Sequence, residues 1–475
     1  MKTFFALGFI LAALVASADP SVTVNAVTQN AANGEVEVVY TLANAPAIVT
    51  VDICTNGVLL GEDAYGSVAG DIHKLMEADG TYRFRWRPDL EDRAVLMNAD
   101  VEFKVDAWLT TDPPDYMVVN LAEANAVWYF ASTNAFPGGL LRNPLYRTDA
   151  VVMRYIHAKG KTAQLGAWDV ANNKSLENGA RDSEPQFSAA FDHDFWIGVF
   201  EVTQAQSELV RGTTNGGSWN SANSNVLYRA MRPAEMLSYN DVRDKDNSAN
   251  FYPRDPHASS WLGLARTKTG LKFDLPCDAQ WEYACRAGTT PGYWNDGTRM
   301  LPEGTPCSYY KYECPDVVIP GRWACNGGQK SWKQRTGQDA HDFTSWSDEE
   351  MMRMTPDVCR TATCGSYAPN AWGLYDMHGN VFEYVNDFAP ASGSTWATLG
   401  ATPNVNPTDP TKQYDGSAPT HPSWADSQSK YYNRVMRSGE FSRGASACRS
   451  AARGSQPVAN SFGCNGFRLI INVAP

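Results

Sequence analysis

The sequence predicts an α+β protein in two parts: a small N-terminal β-sandwich, then a larger mixed α/β domain with little regular secondary structure. Three observations predict it. Runs of strand length with apolar residues at every second position recur through residues 20 to about 112. After residue 150, helical periodicity shows in only two places, 232–243 and 277–286. The rest of that part is rich in Trp, Gly, Asn and Pro, as long ordered loops are. The chain has 475 residues, 43% of them hydrophobic, with 15 Trp, 21 Tyr and 19 Phe. That content can fill a large core and excludes disorder as the main state.

Residues 1–18 read as a signal peptide. Lys2 supplies the positive start, Thr3 to Val15 the apolar run, and Ala16-Ser17-Ala18 the small-residue cleavage site. Cleavage after Ala18 implies a secreted or periplasmic protein. The run falls short of the ~20 residues that span a bilayer, and no later segment is a membrane-span candidate. Net charge is −12, from 40 Lys and Arg against 52 Asp and Glu, which would repel nucleic acid.

Residues 19–112 carry the strand runs: 21–24, 36–40, 48–53, 82–86 and 101–105. Asn33-Gly34, Asn56-Gly57 and Asp79-Gly80 mark turns between them. Short strands at this spacing imply an immunoglobulin-like or fibronectin-like sandwich acting as a spacer or binding module. Residues 113–149 open with Pro113-Pro114 and read as a connection. Residues 150–475 form the second domain.

Export makes disulfides the expected use of the ten cysteines. No Cys-x2-Cys pair occurs, so the spacing of a structural zinc site is missing. Cys54 stands alone in the N-terminal part; nine lie between Cys277 and Cys464. An odd count there leaves one thiol over unless it pairs with Cys54.

Five segments in order carry a resemblance. They are FWIGVFEVTQ (195–204), RPAEMLSYND (232–241), LPCDAQWEYACRAG (275–288), NAWGLYDMHGNVFEY (370–384), and a closing set of RSGEF (437–441), RSAAR (449–453) and GFR (466–468). Together they resemble the formylglycine-generating enzyme, or sulfatase-modifying factor, family over about residues 150–475. The resemblance implies the family's mixed α/β fold, related to C-type lectins. It also implies a calcium loop, with Asp376 and Glu383 side chains and Gly379 and Val381 carbonyls as ligands. Oxygen donors of this kind suit a hard cation. A second family calcium site would fall at Asn326, Gly327 and Asp357.

Trp281, Glu282 and Arg286, with Arg449, Arg453 and Arg468, read as packing and loop-bracing residues rather than a cleft wall. The family's oxidase chemistry uses two thiols that bind Cu(I), a soft ion. Here the interval between RSGEF and RSAAR is short and holds one cysteine, Cys448, the remaining catalytic candidate. The resemblance also implies a disulfide between Cys448 and Cys285. The reading is a binding or accessory protein that takes a peptide, glycan or protein ligand, a sulfatase among the candidates. The alternative is a sulfatase-maturing oxidase that needs Cu(I). An iron-dependent sulfoxide synthase would need a helical, His-bearing N-terminal part, and residues 19–112 carry only His73.

Overall fold

A computed structural model of the chain describes residues 18–88, 100–169, 172, 174–177, 184, 186–213, 229–245, 254–290, 292–293, 321–322, 361–388, 433–441, 443 and 445–473. Asn326, Gly327 and Asp357 lie outside these, as does nearly all of the leader. The chain divides into two compact units, 1–114 with 129–139, and 115–128 with 140–475. The stretch read as a connection is thus shared between them.

The first unit holds two antiparallel sheets. One runs Ser21–Gln29, Val36–Ala43, Gly80–Trp86, Ala69–Gly70. The other is centred on Ala47–Thr55, flanked by Val101–Trp108, Val58–Leu59 and Lys74–Met76. Val36–Ala43 alternates along its length, with Val36, Val38, Tyr40 and Leu42 buried. The period of two read from the sequence is therefore the pleat of a half-buried strand. Phe103 of the second sheet meets Phe84 and Trp86 of the first edge-on, at 5.9 and 5.6 Å.

In the second unit, antiparallel strands Tyr116–Asn120, Ala150–Ile156, Phe195–Gly198 and Ile470–Asn472 lie side by side. They bring the start of the family-like region beside its end. A second sheet orders Gly454–Pro457, Asn433–Arg437, Phe382–Phe388 and Asn465–Gly466, the last pair parallel. Three helices of eight or nine residues are described: Gln204–Arg211, Trp261–Thr269 and Asp278–Arg286.

Asp278–Arg286 matches the helix expected at 277–286, with Cys277 as its N-cap residue. The helix expected over 232–243 does not form. Pro233 pairs instead with Thr203, Met236 turns left-handed (φ 60°), and Ser238 and Asp241 hydrogen-bond each other locally. Only Asn240–Asp244 closes, as one wide π turn. Two helices went unread in the sequence. Gln204–Arg211 begins with a capping box, in which the Gln206 N–H donates to Thr203 Oγ1 and the Thr203 N–H to Gln206 Oε1. Trp261–Thr269 begins at Ser260 and stops at left-handed Gly270.

Candidate functional site

The segment 376–383 is held by an unusual backbone. Asp376 (φ 56°), Asn380 (φ 63°) and Ser438 facing them (φ 73°) are all left-handed. Such positions cost energy for residues with a Cβ and persist where surrounding bonds enforce them. Here His378–Gly379 pairs in parallel with Gly321–Arg322. A Cβ on Gly379 would lie 1.9 Å from the Arg322 carbonyl oxygen, so only glycine fits.

Asn380, fully buried, is the hub. Its N–H donates to the Arg322 carbonyl at 2.8 Å. Its Oδ1 accepts from the Ala362 N–H at 2.7 Å, and its Nδ2 donates to Glu201 Oε2 at 2.7 Å. Glu201 comes from the EVTQ segment and also accepts from the Val381 N–H. Cys364 Sγ stands 3.4 Å from Glu201 Oε2. Asp376 accepts from the Gly365 N–H through Oδ2, at 2.6 Å, while its buried Oδ1 has no hydrogen-bond partner. Burial pushes the Asp376 carboxyl up to about 6, against the pull of the Gly365 N–H and Arg468. Burial, then the charges of Asp376 and Glu383, push Glu201 well above the usual carboxylate range.

Of the four expected calcium ligands, Glu383 has other partners. Arg468 donates to both of its oxygens, at 2.7 to 3.2 Å, and Trp281 Nε1 donates to Oε2 at 2.6 Å. The Gly379 carbonyl accepts from Ser438 Oγ. Glu383 and the Gly379 carbonyl thus have protein partners where the resemblance implies a calcium ion. The unsatisfied oxygen of Asp376 belongs with Glu201 and Cys364. Among the described residues, these three are the one group of three or more His, Cys, Asp and Glu side chains close enough to share a metal ion.

The thiols differ from the disulfide that the resemblance implied. Cys285 is a free thiol, not half of a disulfide with Cys448. Its Sγ lies 3.5 Å from Ser450 Oγ, 3.6 Å from the Met377 carbonyl and 3.8 Å from His378 Nε2. Ser450, two residues beyond Cys448, thus occupies a bridging position with a hydroxyl. Burial pushes the Cys285 thiol up to about 12 and holds His378 down at about 4. The pair is therefore neutral at ordinary pH, the reverse of an activated thiolate. Cys448 is fully buried, and its sulfur packs where a Cβ on Gly439 would come within 2.6 Å.

Trp281 and the ionic residues behave as braces, as read from the sequence. Glu282 accepts from Arg286 (2.9 Å), Arg437 (2.6 Å), Arg453 (3.4 Å) and the Gly166 N–H (2.7 Å). Burial opposes its charge, but these cations and the N–H hold the carboxyl down at about 2. Arg449 pairs with Glu184 and Glu177, and Arg453 with Asp278. Glu201, Cys364 and Asn380 were missed as site residues. The available signal was Glu201 in EVTQ and the Gly-Asn pair at 379–380.

Known proteins share parts of this sequence. Residues 166–473 match the family model described as a sulfatase-modifying factor enzyme 1-like domain. The formylglycine-generating enzyme of Streptomyces coelicolor is 27% identical over 288 residues, covering 57% of this chain and 66% of that protein. The enzyme of that name from Mus musculus is 24% identical over 266 residues, covering 55% and 50%. The chain thus spans less than two thirds of these relatives' length. Among solved structures, PvdO from Pseudomonas aeruginosa overlaps at 18% identity and TM-score 0.38, covering 68% of this chain and 94% of that one. Treponema denticola variable protein 1 overlaps at 16% and 0.40, covering 68% and 96%. On the match across 166–473, this chain belongs to the sulfatase-modifying factor enzyme 1-like family.

Proposed function

We propose that this chain is an exported binding or accessory member of its family, without the oxidase chemistry. One observation carries the reading. The interval between RSGEF and RSAAR offers a single cysteine, Cys448, whose thiol is fully buried, and Ser450 rather than a thiol faces Cys285. One buried sulfur does not supply two thiolates for Cu(I). The second unit then serves as a C-type-lectin-related scaffold whose ligand is a peptide, a glycan or a sulfatase. The first unit serves as its immunoglobulin-like companion module. The competing reading, a sulfatase-maturing oxidase, draws on the names of the relatives. The test is incubation of the full chain with Cu(I), O₂ and a Cys-x-Pro-x-Arg peptide, followed by mass spectrometry. No aldehyde is expected. Copper-dependent aldehyde that is lost in Cys448→Ala would overturn the proposal.

A further inference from the structure

We infer that Glu201, Cys364 and Asp376 form a buried site for a divalent cation of the zinc class, sharing Asp376 with the calcium loop that the family resemblance implied. Glu201 is far in sequence from Cys364 and Asp376, and the three ligand atoms all lie within 4.8 Å of one another. All three residues are buried. Asp376 is 1% exposed, and its Oδ1 has no hydrogen-bond partner. An unsatisfied buried carboxylate oxygen is costly, and a cation is what relieves it.

The geometry selects among cations. A tetrahedral zinc ion with Zn–S of about 2.3 Å and Zn–O of about 2.0 Å places those two ligand atoms about 3.5 Å apart. Cys364 Sγ and Glu201 Oε2 are 3.4 Å apart. Calcium and magnesium take oxygen ligands, so a sulfur in the set speaks for a softer ion. Both carboxylates are also aimed by second bonds, as in metal sites generally: Asn380 and the Val381 N–H hold Glu201, and the Gly365 N–H holds Asp376.

Charge gives an independent count. Glu201, Asp376 and Glu383 interact here with Arg468, and Arg147 lies close to Asp376 and Cys364. Three carboxylates and a thiolate against two guanidiniums leave two negative charges, which one divalent ion cancels. Binding displaces the thiol proton to solvent, so no oxidant or reductant is involved.

The test uses the full chain, unfolded in chelator and refolded with one equivalent of Co²⁺. The expected result is a near-ultraviolet thiolate-to-cobalt absorption that is displaced by Zn²⁺ and unaffected by excess Ca²⁺. Cys364→Ser should abolish it and Cys285→Ser should keep it. Asp376→Asn, a change of nearly constant shape, should weaken cobalt binding by at least about tenfold. That variant keeps the proposal falsifiable if Cys364→Ser does not fold. Absence of the band in the wild-type protein, its persistence in Cys364→Ser, or its displacement by Ca²⁺ would overturn the inference.

Discussion

In the first unit, strand Val36–Ala43 buries Val, Val, Tyr and Leu on one face, against Phe84, Trp86 and Phe103. In the second, Arg243, Arg434, Arg437, Arg449 and Arg468 are among the largest fully buried side chains. The difference follows from backbone bookkeeping. Paired strands satisfy their own N–H and C=O groups, so side chains inside can be apolar. Irregular segments leave carbonyls over, and a guanidinium with five donors collects several at once. Arg437 takes the carbonyls of Ser450, Ala451 and Ala452, and Arg468 those of Gly198, Val199 and Tyr375. Regular structure here is held by area, irregular structure by cations.

The largest expected effect tests that contrast directly. Glu282→Ala should cost about 3–5 kcal/mol in chemical denaturation, because it removes the buried carboxylate that Arg286, Arg437 and Arg453 share and leaves excess positive charge in the interior. Arg85→Ala, which breaks the exposed pair with Glu37 on the first unit, should cost less than about 1 kcal/mol. Equal losses would break the comparison.

The first unit has its own buried polar group, His73. Its Nδ1 pairs with the Tyr129 carbonyl at 2.9 Å, its ring lies 4.6 Å from Phe130, and burial holds it at about 4. The folded value is below the unfolded one of about 6.5, so between these pH values the unfolded chain binds more protons. The stability contribution is therefore present above pH ~6.5 and lost as pH falls toward 4, by about 3 kcal/mol. Hydrogen exchange of the first unit's strands should show the loss. His73→Phe should remove it; an unchanged acid response in that variant would place the proton elsewhere.

A stabilising change sharpens the account of the second unit. Ser450→Cys under oxidising conditions should bridge to Cys285, with loss of two hydrogens by mass. It should stabilise the chain by about 2 kcal/mol, the low end for such bridges. Recovery of both thiols after oxidation would show that the geometry is wrong.

The strands of the first unit were legible because alternation survives in sequence. Val36–Ala43 and Gly80–Trp86 have one buried face each. The helix at Asp278–Arg286 was legible from its apolar spacing and from Gly288 beyond it. The misreading at 232–243 had apolar residues near helical spacing, but Pro233 and left-handed Met236 answer to partners far along the chain. The cation cluster was not legible for the same reason. Glu201 and Cys364 are separated by more than a third of the chain, and nothing local marks either as a ligand. Position 450 hid behind Cys448, since a two-residue offset in the closing segment decides which side chain faces Cys285.

Asn380 has one more effect, on what the chain can tolerate. Its backbone N–H fixes Arg322 and its side chain fixes Ala362, so the chain between those residues departs from and returns to one amino acid. The same side chain holds Glu201, so both ends of the intervening stretch answer to one buried asparagine: Asn380→Ala would release the Ala362 N–H and Glu201 Oε2 together.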